Sequence, residues 1–332
     1  MQYLSDSEVA PVSVGNWTET DELPSPHSVL RMRTVRTVDE LRATLAPPRR
    51  EGLTIGLVPT MGALHEGHLS LITSAREQCD LVVVSLFVNP AQFNERSDLE
   101  RYPRDEHRDA ELASRSGADV LFAPSAEEIY PAGFATFVEV LGVTDRLEGA
   151  ARGAEHFRGV STVVTKLLGM AQPDVAYFGQ KDAQQLLVIR RLVSDLNLPV
   201  RIEACPTVRE PDGLAMSSRN ALLDPDERRR ALALPAALDA ARELLAAGEC
   251  HAEALLDGAR EAMHPFGVEP EYVAVVDPNT FHALDHLDRP ALLVLAARVG
   301  EIRLIDNATL LPSPAATLSP QPPGKAFTTC SA

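Results

Sequence analysis

Apolar and polar positions alternate along residues 34 to 205 in a way that predicts helices and strands taking turns. Apolar residues at helical spacing and short continuous apolar runs, such as residues 81–88, carry this signal. The predicted helices cover 37–45, 66–78, 105–116, 159–171 and 181–196. The predicted strands cover 54–58, 81–87, 119–122, 174–178 and 200–204. Alternation of this kind is typical of an α/β protein whose parallel sheet is covered on both faces.

The pattern changes after Pro206. Asp224 and Pro225 give a helix start, followed by an alanine- and leucine-rich helix to about residue 247. A helix at 251–263 and strands at 271–276, 291–297 and 301–305 complete this part. We therefore predict an α/β fold in which a Rossmann-like doubly wound parallel sheet (31–207) is joined to a smaller α+β lid domain (208–311). Ligands of such sheets bind beyond the carboxyl ends of the strands.

The two ends of the chain differ from the rest. Residues 1–30 are acidic and contain no Lys or Arg, and residues 312–332 are rich in proline, serine and threonine. Neither segment has enough apolar residues to order itself, so both are predicted to be disordered tails. Residues 1–30 do not resemble a secretory signal, and no apolar run approaches the roughly 20 residues that span a bilayer.

Composition narrows the class of partner. The chain has 332 residues, of which 45% are hydrophobic, so it can bury a core as a soluble globular protein. A net charge of -16 argues against binding to nucleic acid or to an anionic membrane, which favours a small metabolite. The four cysteines show no C-x-x-C spacing, so we expect no zinc site, no disulfide framework and a cytoplasmic location.

The most informative segment is the decapeptide at 59–68, which reads P-T-M-G-A-L-H-E-G-H between a predicted strand and a predicted helix. A glycine turn that opens a helix directs backbone N–H groups and a positive dipole end toward one point, where phosphate binds well. His65 and His68 lie at that point. The alternative is a pair of helix-end histidines that only satisfy local hydrogen bonds. A zinc site is disfavoured, because the string is H-E-G-H rather than H-E-x-x-H.

A second strand, glycine turn and helix start follows at 178–185, F-G-Q-K-D-A-Q-Q. Lys181 is one of only three lysines in the chain, and a lysine beside the amino end of a helix is unfavourable unless an anion joins it. At helical spacing Lys181 and Gln185 share one face. The alternative is a surface lysine paired with Asp182.

Two further segments carry candidate residues. Residues 214–220 offer Ser217, Ser218 and Arg219 on a segment that could close over a triphosphate, although the composition also suits an ordinary loop. Residues 87–93 place Gln92 after a strand, where a neutral amide could read a carboxylate or a hydroxyl. A loop glutamine in contact with water is the alternative.

Six motifs in a fixed order resemble the pantoate-β-alanine ligase family. They lie at 59–68, 87–93, 102–104, 156–160, 178–185 and 216–220, and the resemblance runs from about residue 31 to residue 310. The family belongs to the nucleotidyltransferase superfamily with H-x-G-H and K-M-S-K-S-like signatures. Here His65 to His68 and Met216 to Arg219 are the counterparts.

The resemblance implies a reaction in two steps. Pantoate and ATP give pantoyl adenylate and pyrophosphate, and β-alanine then attacks the acyl group to give pantothenate and AMP. His65, His68 and Lys181 are the implied catalytic residues, with His68 as the proton donor, and Gln92 and Gln185 are the implied pantoate ligands, Gln92 lying also near β-alanine. The implied ATP contacts are Met61, Gly62, Ala63, Leu64, His65, Glu66, Gly67, His68, Gly179, Gln180, Lys181, Asp182, Val208, Met216, Ser217, Ser218 and Arg219.

The same resemblance implies a homodimer, ATP as a substrate with Mg²⁺, and no tightly bound organic cofactor. One departure concerns Arg152. The family places an arginine three residues before the histidine of H-F-x-G-V, whereas Arg152 lies four residues before His156, so Arg152 is left unassigned. Two alternatives share the signatures. A class I aminoacyl-tRNA synthetase is opposed by the acidic composition and the short chain, and a nucleotide-sensing protein without catalysis would not need both His68 and Lys181.

Overall fold

The computed structural model describes residues 32–94 and 96–312. The predicted acidic tail, and the proline-rich tail beyond Pro312, lie outside these residues. Among the described residues, no helix combines the length and the apolar character needed to cross a membrane.

The larger sheet has six parallel strands. They are β1 (Arg33–Val35), β2 (Ile55–Thr60), β3 (Leu81–Leu86), β4 (Val120–Phe122), β5 (Val175–Gly179) and β6 (Arg201–Cys205), in the order β1-β4-β3-β2-β5-β6. From β2 the chain builds outward through β3 and β4 and then returns to β5 on the other side of β2. The order therefore reverses between β2 and β5, and a crevice opens at the carboxyl ends of these two strands.

Helices cover both faces of this sheet. They are α1 (Val38–Arg50), α2 (Glu66–Gln78), α3 (Arg96–Arg101), α4 (Glu106–Arg115), α5 (Ala126–Ile129), α6 (Glu148–Arg152), α7 (Ala154–Ala171) and α8 (Ala183–Asp195). Leu57 and Val83 belong to the core formed with α1, α7 and α8, whereas Val58 and Val84 belong to the core formed with α2 and α4. Because alternate residues enter opposite cores, both faces must be apolar, which explains the continuous apolar strand sequences.

The C-terminal part folds around a smaller antiparallel sheet. Its elements are α9 (Pro225–Ala231), α10 (Ala233–Ala246), α11 (Ala252–Met263), β7 (Pro270–Val276), β8 (Ala291–Val299) and β9 (Ile302–Leu310), with strand order β7-β8-β9. Helices α10 and α11 share one hydrophobic core with all three strands. The predicted fold class, a parallel α/β sheet followed by a smaller α+β part, is confirmed.

Prolines account for two boundaries that were predicted wrongly. The helix predicted at 37–45 continues through Pro47 and Pro48 to Arg50. These prolines lie in its last turns, and Ala43, whose carbonyl receives no N–H from Pro47, is an exposed residue. The single helix predicted to run to about 247 is two helices that meet at Leu232. Pro235 has no N–H to donate to the carbonyl of Ala231, so the hydrogen-bond ladder is interrupted there.

Other elements begin earlier, end later or escape prediction. Helix α7 starts at Ala154 rather than 159, directly after Gly153, whose φ of 82° suits glycine. Strand β9 extends beyond the predicted 301–305 to Leu310, through two polar residues that have specific partners. The short elements β1, α3, α5 and α6 were not predicted, because three to six residues carry too little periodic signal.

Candidate active site

The turn between β2 and α2 is held by a buried carboxylate. Gly62 and Ala63 have φ values of 90° and 51°, a conformation that costs energy for alanine. Asp109 of α4 accepts hydrogen bonds from the backbone N–H groups of Ala63 and Leu64, both at 2.8 Å. Asp109 thus fixes the turn that leads to His65.

His65 and His68 form the amino-terminal cap of α2. Nδ1 of His65 accepts from the N–H of Gly67 at 3.2 Å, and Nδ1 of His68 accepts from the N–H of His65 at 3.4 Å. Their ring centroids lie 4.1 Å apart. Since both Nδ1 atoms accept, each neutral ring carries its proton on Nε2. Burial is the main cause that lowers the pKa of His65 to about 4 and that of His68 to about 3, assisted by the charge of Lys181.

The second turn places Lys181 next to these histidines. Residues Gln180–Asp182 form a 3-10 turn before α8, so Lys181 precedes α8 and does not share an α-helical face with Gln185 as predicted. Burial lowers the pKa of Lys181, while the carboxylates of Asp182 and Asp306 act in the opposite direction. Lys181 is half-buried and lines the cavity described below, which disfavours the alternative of a surface lysine, although the Asp182 charge does act on it.

Strand β9 supports this second turn from the C-terminal sheet. Nδ2 of Asn307 donates to the carbonyl oxygens of Gln180 and Lys181 at 3.0 and 2.8 Å. Asp306, which is 2% exposed, accepts two hydrogen bonds from Arg209 at 2.6 and 2.9 Å. Asp306 and Asn307, which lie beyond the predicted end of β9, therefore hold the segment that follows β6 and the Lys181 turn, respectively.

The segment from Val208 to Asn220 lies over the first turn. The N–H of Met216 donates to the carbonyl oxygen of Val208 at 3.0 Å. The side chain of Ser217 caps the 3-10 helix Ser218–Leu222 by accepting from the N–H of Arg219. A Cβ added at Gly67 would lie 3.7 Å from the Cβ of Met216, so the two segments are in contact. The predicted loop is thus partly helical, and its closure over a ligand stays a prediction.

The two glutamines occupy different elements that face one cavity. Gln92 ends the 3-10 turn Pro90–Gln92 after β3, and Gln185 lies in the first turn of α8. The neighbouring Gln184 is buried and donates to the carbonyls of Val143 and Arg146, at 2.6 and 2.9 Å. Gln184 therefore anchors a loop, whereas Gln185 is half-buried at the cavity wall.

A cavity of about 630 Å³ joins these groups at the carboxyl ends of β2 and β5. Most of the predicted site residues line it, namely Met61, His65, Gly67, His68, Gln92, Gly179, Lys181, Asp182, Gln185, Val208, Met216, Ser217, Ser218 and Arg219. The remaining predicted residues do not line it, namely Gly62, Ala63, Leu64, Glu66 and Gln180. Gly62, Ala63, Leu64 and Gln180 instead belong to the two turns described above.

A charged network on the cavity wall was missed by sequence reasoning. Glu148 of α6 accepts from Arg303 at 2.7 and 2.9 Å, from Tyr272 at 2.7 Å and from Arg152 at 2.8 Å. Burial opposes the ionised form, yet hydrogen bonding to Arg303 and the two arginine charges lower the pKa of Glu148 to about 2. Arg152, left unassigned above, thus lies at the cavity. No sequence spacing links Glu148 to partners 124 and 155 residues away.

The described residues contain no group of three or more His, Cys, Asp or Glu side chains arranged to hold a metal ion. The cationic and neutral donors of the cavity, Lys181, Arg219 and the histidine Nε2–H groups, suit anionic oxygens instead. The site can therefore receive phosphate next to two amide side chains.

Comparisons with known proteins agree with this geometry. The sequence model described as pantoate-beta-alanine ligase matches residues 33–309. Pantothenate synthetase of Moorella thermoacetica is 52% identical over 284 residues, which cover 84% of this chain and 99% of that protein. The crystal structure of pantothenate synthetase from Thermus thermophilus aligns with a TM-score of 0.81 and 49% identity, over 85% of this chain and 100% of that one.

A further structure, pantoate-beta-alanine ligase from Francisella tularensis, is described as complexed with beta-gamma ATP and beta-alanine. It aligns with a TM-score of 0.68 and 34% identity, over 83% of this chain and 97% of that chain. With its motifs converging on one crevice and a family match over most of its length, the chain belongs to the pantoate-β-alanine ligase family.

Proposed function

We propose that this protein joins pantoate to β-alanine with consumption of ATP, releasing AMP and pyrophosphate through a pantoyl adenylate. One observation carries the proposal: the histidine pair, Lys181 and the two glutamines come from three separate segments and face a single cavity. The Francisella relative, which is complexed with beta-gamma ATP and beta-alanine, supports both ligand classes.

In the first step a carboxylate oxygen of pantoate attacks the α-phosphorus of ATP, and the bond to the bridging oxygen of pyrophosphate breaks. Negative charge accumulates on the pyrophosphate. Lys181 and the Nε2–H groups of His65 and His68 are placed to stabilise that charge, together with the N–H groups at the start of α2. Because burial lowers the pKa of both rings well below 7, we assign both as hydrogen-bond donors to phosphate, so that His68 acts as a phosphate stabiliser rather than as a general acid.

In the second step the neutral amine of β-alanine attacks the acyl carbon of the adenylate. The C–O bond to AMP breaks, the amine loses a proton, and pantothenate and AMP leave. The pantoyl group must keep its position between the two steps, because its carboxylate is the nucleophile in the first step and its acyl carbon is attacked by the amine in the second. Gln92 and Gln185 serve this purpose by binding the oxygens of pantoate, and a bound ligand that lacks those oxygens would cut these amides off from water and leave them unpaired.

The finer parts of the proposal rest on family resemblance. Met61 to His68, Gly179 to Asp182, Val208 and Met216 to Arg219 contact ATP, with Mg²⁺ arriving on the triphosphate. The protein acts as a homodimer in the cytoplasm. Residues 31–207 form the ATP- and pantoate-binding domain, and residues 208–311 form the lid.

An omission experiment tests the proposal. The purified protein is incubated with ATP, pantoate and β-alanine, and AMP and pantothenate are quantified in the complete mixture and with each component left out. We expect AMP and pantothenate in a 1:1 ratio only when all three are present. Formation of AMP from ATP without pantoate, or transfer to an unrelated acid at the same rate, would contradict the proposed reaction.

A further inference from the structure

Helix α7 packs directly against the turn that carries Gln92. Gly159 of α7 has no side chain, and a Cβ added there would overlap the carbonyl group of Ala91 and lie 2.8 Å from the backbone nitrogen of Gln92. Residue 159 must therefore be glycine for the helix and the turn to touch. The H-F-R-G-V motif, to which the proposed function gives no role, contains this glycine.

His156 of the same motif holds the backbone of Gln92. Its Nδ1 lies 2.8 Å from the carbonyl oxygen of Gln92, and because a carbonyl oxygen only accepts, Nδ1 must carry the proton. His156 is 8% exposed, and burial lowers its pKa to about 4. The ring is therefore a neutral donor at neutral pH, and it fixes the main chain of Gln92 to α7.

Asn89 transmits this placement to the side chain of Gln92. Its Nδ2 donates to the carbonyl oxygen of Gly159 at 3.1 Å, and its Oδ1 accepts from the N–H of Ala91 at 3.3 Å and from the hydroxyl of Tyr130 at 2.8 Å. A carbonyl only accepts and an N–H only donates, so these backbone groups allow one orientation of the Asn89 amide. The second N–H of Asn89 is then donated to Oε1 of Gln92 at 3.0 Å.

The orientation of the Gln92 amide follows from that bond. Oε1 is engaged by Asn89, and Nε2 lies on the other side, 3.0 Å from Sδ of Met61 at the cavity wall. We propose that the first turns of α7, through His156 and Gly159, are the positioning element for Gln92, so that Gln92 offers N–H donors to an acceptor oxygen of the acid substrate. This inference rests on the proposed role of Gln92 in binding pantoate and adds what holds it in place.

Two glycines of α7 give a matched test. Gly159→Ala forces the Gln92 turn away, whereas a Cβ at Gly169 meets no atom within 4 Å. For Gly159→Ala we expect the KM for pantoate to rise about ten- to hundredfold, with the KM for ATP changed less than about twofold. Gly169→Ala keeps both constants. His156→Ala, which removes the donor to the Gln92 carbonyl, repeats the test without adding volume and serves if Gly159→Ala fails to fold.

A double-substitution cycle with Gln92→Ala separates positioning from general damage. Once the Gln92 amide is removed, Gly159→Ala and His156→Ala should cause no further rise in the KM for pantoate. A full additional rise in that background, or an equal rise in the KM for ATP, overturns the positioning role. If Gln92→Ala alone raises the KM but neither α7 substitution does, only this inference fails. If Gln92→Ala leaves the KM unchanged, the proposed role of Gln92 fails as well.

Discussion

In His65 and His68, backbone N–H groups determine which ring nitrogen carries the proton. Each Nδ1 accepts an N–H at the start of α2, so each Nε2–H remains for a ligand. A sequence shows that two histidines flank a glycine turn, but it does not show which nitrogen accepts. That detail decides whether the pair can donate to phosphate while remaining neutral.

We expect His68→Ala and Lys181→Ala each to reduce adenylate formation by at least about 10²- to 10³-fold, because each removes a donor to the charge that develops on phosphate. The measurement is the single-turnover rate of pyrophosphate release with pantoate present. The control is His251→Ala, whose side chain is 77% exposed. Near-normal turnover in His68→Ala or Lys181→Ala would remove that residue from the catalytic set.

Asp109 is a buried acid that the sequence hides. It occupies the core-facing stripe of α4, four residues before buried Ala113, where an acid is unexpected. A charged residue on an apolar helical stripe was the available signal, but its partners, the N–H groups of Ala63 and Leu64, lie 45 and 46 residues earlier. Such partners become visible only when the helix is packed against the turn.

Asp109→Asn should destabilise the protein by about 1–3 kcal/mol, because one amide oxygen cannot replace two carboxylate oxygens and the amide N–H₂ faces a donor. Urea unfolding measures this change, with Asp257→Asn at an exposed site, 63% accessible, as the control. Equal unfolding midpoints for Asp109→Asn and the unsubstituted chain would show that the turn does not depend on the carboxylate.

At the level of elements, the strands and long helices of residues 54–205 could be predicted from the sequence. Strands buried on both faces are continuously apolar, and helices that cover the sheet have apolar residues at helical spacing. Helix α2 begins and ends at the predicted residues, Glu66 and Gln78. The prediction was wrong where polar residues serve a tertiary role. The strand predicted at 301–305 stops before Asp306 and Asn307, yet these residues belong to β9 and pair with Arg209 and with the turn at Gln180 and Lys181.

Asn307→Asp tests the contact between β9 and the Lys181 turn. A carboxylate at this position would face two carbonyl oxygens with no N–H to offer, so the turn should move and the KM for ATP should rise about tenfold. Thr309→Ala, on an exposed position of the same strand, should leave the KM unchanged. Steady-state kinetics with varied ATP decide between these outcomes, and an unchanged KM in Asn307→Asp would mean that β9 does not position Lys181.

At the scale of the whole molecule, the half-buried His65 and His68 and the buried His156 link stability to pH. Burial lowers the pKa of His65, His68 and His156 to between about 3 and 4, whereas an unfolded histidine titrates near 6.5. The unfolded chain therefore takes up protons first as the pH falls. The stabilisation that comes from these three histidines is therefore complete above about pH 6.5 and is lost as the pH falls toward 4.

Urea unfolding at pH 7.5 and pH 5.0 checks this pH dependence. The unfolding midpoint should be lower at pH 5.0, and the drop should be smaller in a chain that carries both His65→Gln and His68→Gln. The same drop in both chains would show that these two histidines do not cause the acid sensitivity.

If the proposed function is right, the cavity activates the carboxylate of pantoate on the α-phosphate of ATP. The most direct measurement is exchange of labelled pyrophosphate into ATP without β-alanine, which requires a reversible adenylate. We predict rapid exchange with pantoate and none without an acid. Exchange supported by a free amino acid instead of pantoate would contradict pantoate as the activated acid. No exchange with pantoate, while product still forms from all three substrates, would contradict a reversible pantoyl adenylate.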